Sequence, residues 1–116
     1  MTDQPHSDLF SAWSPDSLGE LLGTGYMRFE TRIGIQGLAR MDNERGLDIL
    51  AVVSKRPGEG QFRQFIAAAQ QAFDRVAVWV DFNPILGKAL RRYGFVRAQR
   101  TEPDGEVCQG WQWRKQ

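Results

Sequence analysis

Cysteine and histidine each occur once in the 116 residues, as Cys108 and His6. A single thiol excludes an internal disulfide and suits a reducing compartment. A Cys–His nucleophilic pair would need the polar N-terminal tail to fold back onto Cys108, so the plain reading of that thiol is an inert residue on a terminal strand. One cysteine and one histidine also leave no ligand set for a structural zinc ion. No metal cofactor is expected, and no internal repeat is present. Long apolar runs are missing too. Nothing approaches the roughly 20 residues of a membrane span, and Met1-Thr2-Asp3-Gln4-Pro5 has neither the basic nor the apolar region of a signal peptide. Nor does one sign of charge dominate: fifteen Lys and Arg face fourteen Asp and Glu, a net +1. Neither nucleic acid nor membrane is therefore an expected partner, and a soluble, cytoplasmic protein is.

What is present is ordinary for a globular domain, with 41% hydrophobic and 25% charged residues, enough for one core. Residues 1–116 read as a single domain with a loose polar tail over 1–8. Leu9, Phe10 and Trp13 fit one helical turn, stopped at Ser14-Pro15-Asp16, with a second short helix over Ser17–Leu22. From Tyr26 to Ile33 polar and apolar residues alternate, the period of a half-buried strand. Gly34 and Gly37 interrupt it, giving either a hairpin into Leu38–Met41, which is preferred, or a bulged strand. Leu47–Val53 and Val76–Val80 are apolar runs expected of strands buried on both faces. Between them Phe62, Phe65, Ile66, Ala69 and Phe73 recur at spacings of three and four and mark one helical face. Strand, helix, strand of these lengths implies a parallel, right-handed crossover. Asn83 and Pro84 suit the start of a further helix, and Gly94 suits the position past its end. Asp104-Gly105 between two alternating runs predicts a terminal hairpin.

The strand over Leu47–Val53 leads into Lys55-Arg56-Pro57-Gly58-Glu59-Gly60, a tight turn into a helix whose first amides converge on one concavity, an anion site if anything negative binds there. This loop, with Asp81-Phe82-Asn83-Pro84 and Leu90-Arg91-Arg92-Tyr93-Gly94-Phe95 behind it, resembles the acetyl-CoA-binding core of the GNAT (Gcn5-related N-acetyltransferase) superfamily, whose loop signature is Q/R-x-x-G-x-G/A. Lys55, Gly58 and Gly60 stand at the signature positions, and the resemblance covers roughly 50 residues, including the Asn-Pro and Gly-Phe pairs. It implies an α+β fold: a GNAT-like mixed sheet with a central parallel strand pair splayed around a β-α-β crossover, and a C-terminal antiparallel hairpin. It also implies acetyl-CoA as co-substrate. The pyrophosphate would be held at Lys55, Arg56, Gly58, Glu59, Gly60 and Gln61, with Asn83 as a further contact, and the pantetheine arm along Ala51, Val52 and Val53.

Three features depart from the family pattern. Pro57 has no N–H to offer a phosphate, and Glu59 places a negative charge in the loop, where it also suits the helix macrodipole. The general-acid tyrosine, seven residues after Asn83, is Leu90, so Tyr93 is the candidate acid. The candidate bases are Asp48, a carboxylate in an apolar strand that must find a partner or shift its pKa, and Glu30 on the preceding strand. Two functions follow from the resemblance. One is an acyl-CoA-dependent N-acetyltransferase acting on an amine of a small molecule or protein. The other is a catalytically inactive GNAT-like structural or interaction protein, for example a phage virion or host-modulating protein, with a second copy or a virion component as partner.

Overall fold

The computed structural model describes residues 9–15, 25–42, 44–55, 60–79, 84–101 and 104–116. Seven strands form one mixed sheet: β1 (Ala12–Pro15), β2 (Met27–Glu30), β3 (Ile35–Met41), β4 (Gly46–Ser54), β5 (Arg75–Val78), β6 (Val96–Thr101) and β7 (Val107–Arg114), in the order β1-β2-β3-β4-β5-β7-β6. Helix α1 (Gln61–Ala72) joins β4 to β5, and α2 (Pro84–Arg92) lies between β5 and β6. Only the β4–β5 pair is parallel; the other ladders are antiparallel. This is the α+β architecture that the resemblance implies, with the parallel pair at the centre and the Asp104-Gly105 hairpin at one edge.

The core lies between the sheet and the two helices. Leu47 and Ile49 from β4, Val76 and Val78 from β5, and Phe65, Ile66 and Ala69 from α1 are fully buried there. Each large apolar side chain so buried contributes about 1.5–3 kcal/mol relative to exposure. Phe65 stacks on Phe29 of β2 at 5.6 Å between ring centroids, and Phe10 and Trp13 extend that aromatic cluster. Phe62, assigned to the buried face from its spacing, is half-buried, and Gln61 takes the core-facing place one turn before Phe65.

Two sequence expectations need correction. Leu9–Trp13 is not a helical turn. Trp13 lies on β1, opposite Phe29, because the edge of β2 offers a ladder that a lone turn cannot match, and a spacing of three in so short a run fits either state. The first hairpin turns earlier than Gly34–Gly37. Thr31 closes it, its Oγ1 accepting from the Ile35 amide at 3.0 Å and its amide donating to the Ile35 carbonyl at 2.9 Å, and β3 begins at Ile35. The helix expected over Ser17–Leu22 lies outside the described residues.

The β4–α1–β5 unit is tied at one end. Asp42 Oδ1 accepts from the Glu44 and Gly46 amides, both at 2.8 Å. Arg45 donates to the Ala72 carbonyl at the end of α1, at 3.0 Å, and pairs with Asp74 at 3.3 Å. The Asp74 amide returns a bond to the Arg45 carbonyl at 2.8 Å.

Candidate functional site

At the opposite end of the parallel pair the described ladder stops before β4 does. The ladder runs from Gly46↔Arg75 to Ile49↔Val78, and a last bond joins the Trp79 amide to the Ile49 carbonyl at 2.9 Å. Beyond it β4 continues through Leu50–Ser54, and among the described residues no strand pairs with it on that side. A bulge marks the place: Ala39 pairs with Ile49 and Leu38 with Ala51, so Leu50 is the extra residue. Bulges bend a strand and strengthen its twist, and this one falls where the described ladder with β5 ends. Gly37 makes the bulge possible, since a Cβ there would meet the backbone of Ala51 and Val52. The Lys55 amide donates toward β3, to the Gly34 carbonyl, and the alternation of an antiparallel ladder therefore turns the Val52 amide away from β3. Of the three residues expected to line a pantetheine arm, Ala51 and Val52 are half-buried and Val53 is 57% exposed.

The start of α1 faces the same end. Gly60, at φ 82°, is its N-cap, and no side chain among the described residues caps the helix. The first helical bond runs from the Gln64 amide to the Gly60 carbonyl at 3.1 Å, and the amides before it have no intrahelical partner. No acidic side chain stands in the first turn to neutralise the dipole. Beside these amides a cleft of about 590 Å³ is lined by Gly60, Phe62 and Arg63 from α1 and by Ala89, Arg92 and Tyr93 from α2. Two exposed guanidiniums, Arg63 and Arg92, thus flank the helix start. Neither was singled out from the sequence; the readable signal was only that each lies on the polar face of a helix next to a family motif.

The end of α2 places Tyr93. Gly94, at φ 88°, allows a bond from its amide to the Arg91 carbonyl and one from the Phe95 amide to the Leu90 carbonyl, both at 3.1 Å, closing the helix in a Schellman motif. Leu90 and Phe95, which bracket that motif, are both in the core. Tyr93 is left half-buried at the cleft, its carbonyl accepting from Gln70 of α1 at 2.7 Å. The position held by Leu90 is 0% exposed.

The structure does not bring the three candidate catalytic residues to one face. Tyr93 is on the helix side. Cross-strand partners share a sheet face, and the pairs Glu30↔Gln36, Gln36↔Val53 and Arg40↔Asp48 place Glu30 and Asp48 together on the other side. Asp48, 7% exposed, has the partners its burial requires. Arg75 donates to Oδ1 at 3.0 Å and to Oδ2 at 3.3 Å, Trp79 Nε1 donates to Oδ1 at 3.2 Å, and Arg40 lies 3.9 Å away. Arg75 also donates to Asp42 at 2.7 Å. That bond holds the Asp42 carboxyl below its ordinary range, and the two carboxylates, Asp48 first, raise the pKa of Arg75. Trp79 therefore turns to the far face. Glu30 has a looser partner, Lys55 at 3.6 Å, with both side chains about half exposed. Arg56, Gly58, Glu59 and Asn83 lie outside the described residues. Among the described residues no group of His, Cys, Asp and Glu could hold a metal, and no helix is long and apolar enough to cross a membrane.

No family model matches the chain, and no curated protein matches it. Solved structures do. Ard1 from Thermoplasma volcanium is 13% identical, with 85% of this chain and 76% of that one covered at a TM-score of 0.47. An acetyltransferase from Bacillus subtilis, in complex with CoA, is 12% identical over 97% of this chain and 91% of that one, also at 0.47. The fold is GNAT-like. That statement rests on the sheet order, the parallel crossover and the terminal hairpin described above; likeness at this level of identity says nothing of activity.

Proposed function

We propose that the chain is an acyl-CoA-dependent N-acetyltransferase acting on an amine, with acetyl-CoA as co-substrate. One juxtaposition carries this reading: the end of β4 that extends past its described ladder with β5 and the start of α1, which has no side-chain cap among the described residues, lie at the same end of the crossover, beside a cleft flanked by Arg63 and Arg92. The residues fit such a ligand. Amides at a helix start and two guanidiniums suit a pyrophosphate, and the Val52 amide suits a carbonyl of an extended arm. When bound, acetyl-CoA supplies an acyl thioester whose acyl carbon accepts the amine nitrogen as the carbon–sulfur bond breaks.

The chain's own groups handle the protons. Glu30 is freer than Asp48 to take one from the amine, because its partner is exposed and exchangeable, whereas two donors hold the Asp48 carboxylate; it would act from the sheet face opposite Tyr93, so the amine would have to approach the thioester from that side. The Tyr93 hydroxyl, at the cleft, is the group that can return a proton to the leaving sulfur. A second reading, a GNAT-like interaction module without catalysis, is favoured by Leu90, whose enclosed side chain leaves nothing at the family's acid position.

Calorimetry with acetyl-CoA tests the binding site. Wild type should bind, and Gly60→Asp should not, since it puts a carboxylate among the amides at a position where an added Cβ meets no atom within 4 Å. Binding at 100 times Kd would raise stability by about 2.7 kcal/mol, visible as a thermal shift. Equal affinity in the two proteins would end the reading. Steady turnover on an amine panel, abolished by Tyr93→Phe, would exclude the non-catalytic alternative.

A further inference from the structure

One polar atom beneath the cleft has no described partner. Gln61 is 8% exposed, and its Oε1 is enclosed with no hydrogen-bond partner among the described residues. An orphaned buried acceptor destabilises a fold, and native structures seldom keep one without a reason. Gln61 belongs to the buried stripe of α1 with Phe65 and Ala69, at spacings of four, and Phe65 stacks over the sheet on Phe29. The carboxamide therefore points from the first turn of α1 toward the sheet. Its chain neighbours Gly60 and Phe62 line the cleft on the solvent side. In the crossover α1 runs back against β4, so its first turn lies over the end of β4 beyond Ile49.

The ligand chemistry follows from what the atom lacks. Phosphate oxygens only accept, and Arg63 and Arg92 only donate, so an anion held between those guanidiniums leaves Oε1 as it is. A donor is needed, on a group thin enough to pass from the cleft under the first turn of α1. We propose that Gln61 recognises the N–H of a secondary amide on an extended arm lying along the end of β4 beyond Ile49. This rests on the acetyl-CoA reading, because that ligand carries two such amides in its arm.

The test compares CoA with adenosine 3′,5′-bisphosphate, which keeps the nucleotide and lacks the arm, on wild type and on Gln61→Met, an apolar side chain of similar length. Gln61→Met should lose about five- to tenfold in CoA affinity by calorimetry, the worth of one hydrogen bond. It should keep the wild-type affinity for the bisphosphate. Without ligand it should melt at or above wild type, since the orphan is gone. Equal CoA affinity in both proteins, an equal loss for both ligands, or a lower melting temperature of the free variant would overturn the proposal. The last would mean that the carboxamide already has a partner. Failure of wild type to bind CoA at all would instead remove the acetyl-CoA reading, and this proposal with it.

Discussion

Replacing Gly37 by alanine tests how β4 comes to bulge. Gly37 sits in β3 opposite the bulged stretch of β4 and outside the left-handed region, so its requirement is for space and not for backbone freedom. A Cβ there would meet the Ala51 carbonyl oxygen, would lie 2.8 Å from the Ala51 carbonyl carbon, and 3.0 Å from the Val52 Cα. All three are backbone atoms that cannot rotate aside. Overpacking costs 1–3 kcal/mol when side chains can adjust, so the upper figure, about 3 kcal/mol, applies here. At roughly 4 °C per kcal/mol for a domain of this size, Gly37→Ala should lower Tm by about 12 °C. Gly60→Ala is the control with the opposite cause: φ is +82° and no atom lies within 4 Å of its Cβ. It should cost only the left-handed strain, about 1 kcal/mol. Thermal and urea unfolding followed by circular dichroism would measure both, and hydrogen exchange at Val52 and Ser54 would show whether the bulge has rearranged. If Gly37→Ala melts within about 3 °C of wild type, or if Gly60→Ala proves the more damaging of the two, the steric account of the bulge is wrong.

Leu90→Tyr, which would restore the family's acid by sequence count, should instead destabilise by about 2–3 kcal/mol without raising turnover, because Leu90 is enclosed in the core at the helix stop; a stable, more active variant would contradict this. Asp42, its pKa lowered chiefly by the hydrogen bond from Arg75, contributes stability that is present above the ordinary carboxylate range and lost as pH falls below about 4. Its side chain is 36% exposed, and screening keeps that contribution under about 1 kcal/mol. Asp42→Asn should therefore be less stable than wild type at pH 6 and lose less between pH 5 and pH 3; parallel unfolding curves would rule the linkage out.

Much of the scaffold was legible because it rests on periodicity. Phe65, Ile66, Ala69 and Phe73 mark α1, the runs at Leu47 and Val76 mark the parallel pair, and Gly94 and Asp104-Gly105 mark a helix stop and a hairpin. Gly37 misled because a glycine within an alternating run has two physical uses, turning the chain and letting a neighbouring backbone approach, and only the partner strand decides between them. Trp13 misled because four residues are too few for one period to exclude another. The site was less legible than the fold. Asp48 announced that it needed a partner, but Arg75 lies 27 residues away, and nothing local pairs them. Arg63 and Arg92 converge only once α1 and α2 lie side by side, and the orphaned end of Gln61 is a property of its surroundings.

The tie at Arg45 and the end of β4 beyond Ile49 are laid out like tongs. Arg45, Ala72 and Asp74 are the closed grip, the Ile49–Trp79 bond is the fulcrum, and the described arm beyond it is the end of β4. The Arg75–Asp48–Trp79 brace sits at that fulcrum, on the face away from the helices. Stiffness is therefore set on one side of the sheet and felt on the other. Loosening the brace would act at that fulcrum without touching a single residue that lines the cleft.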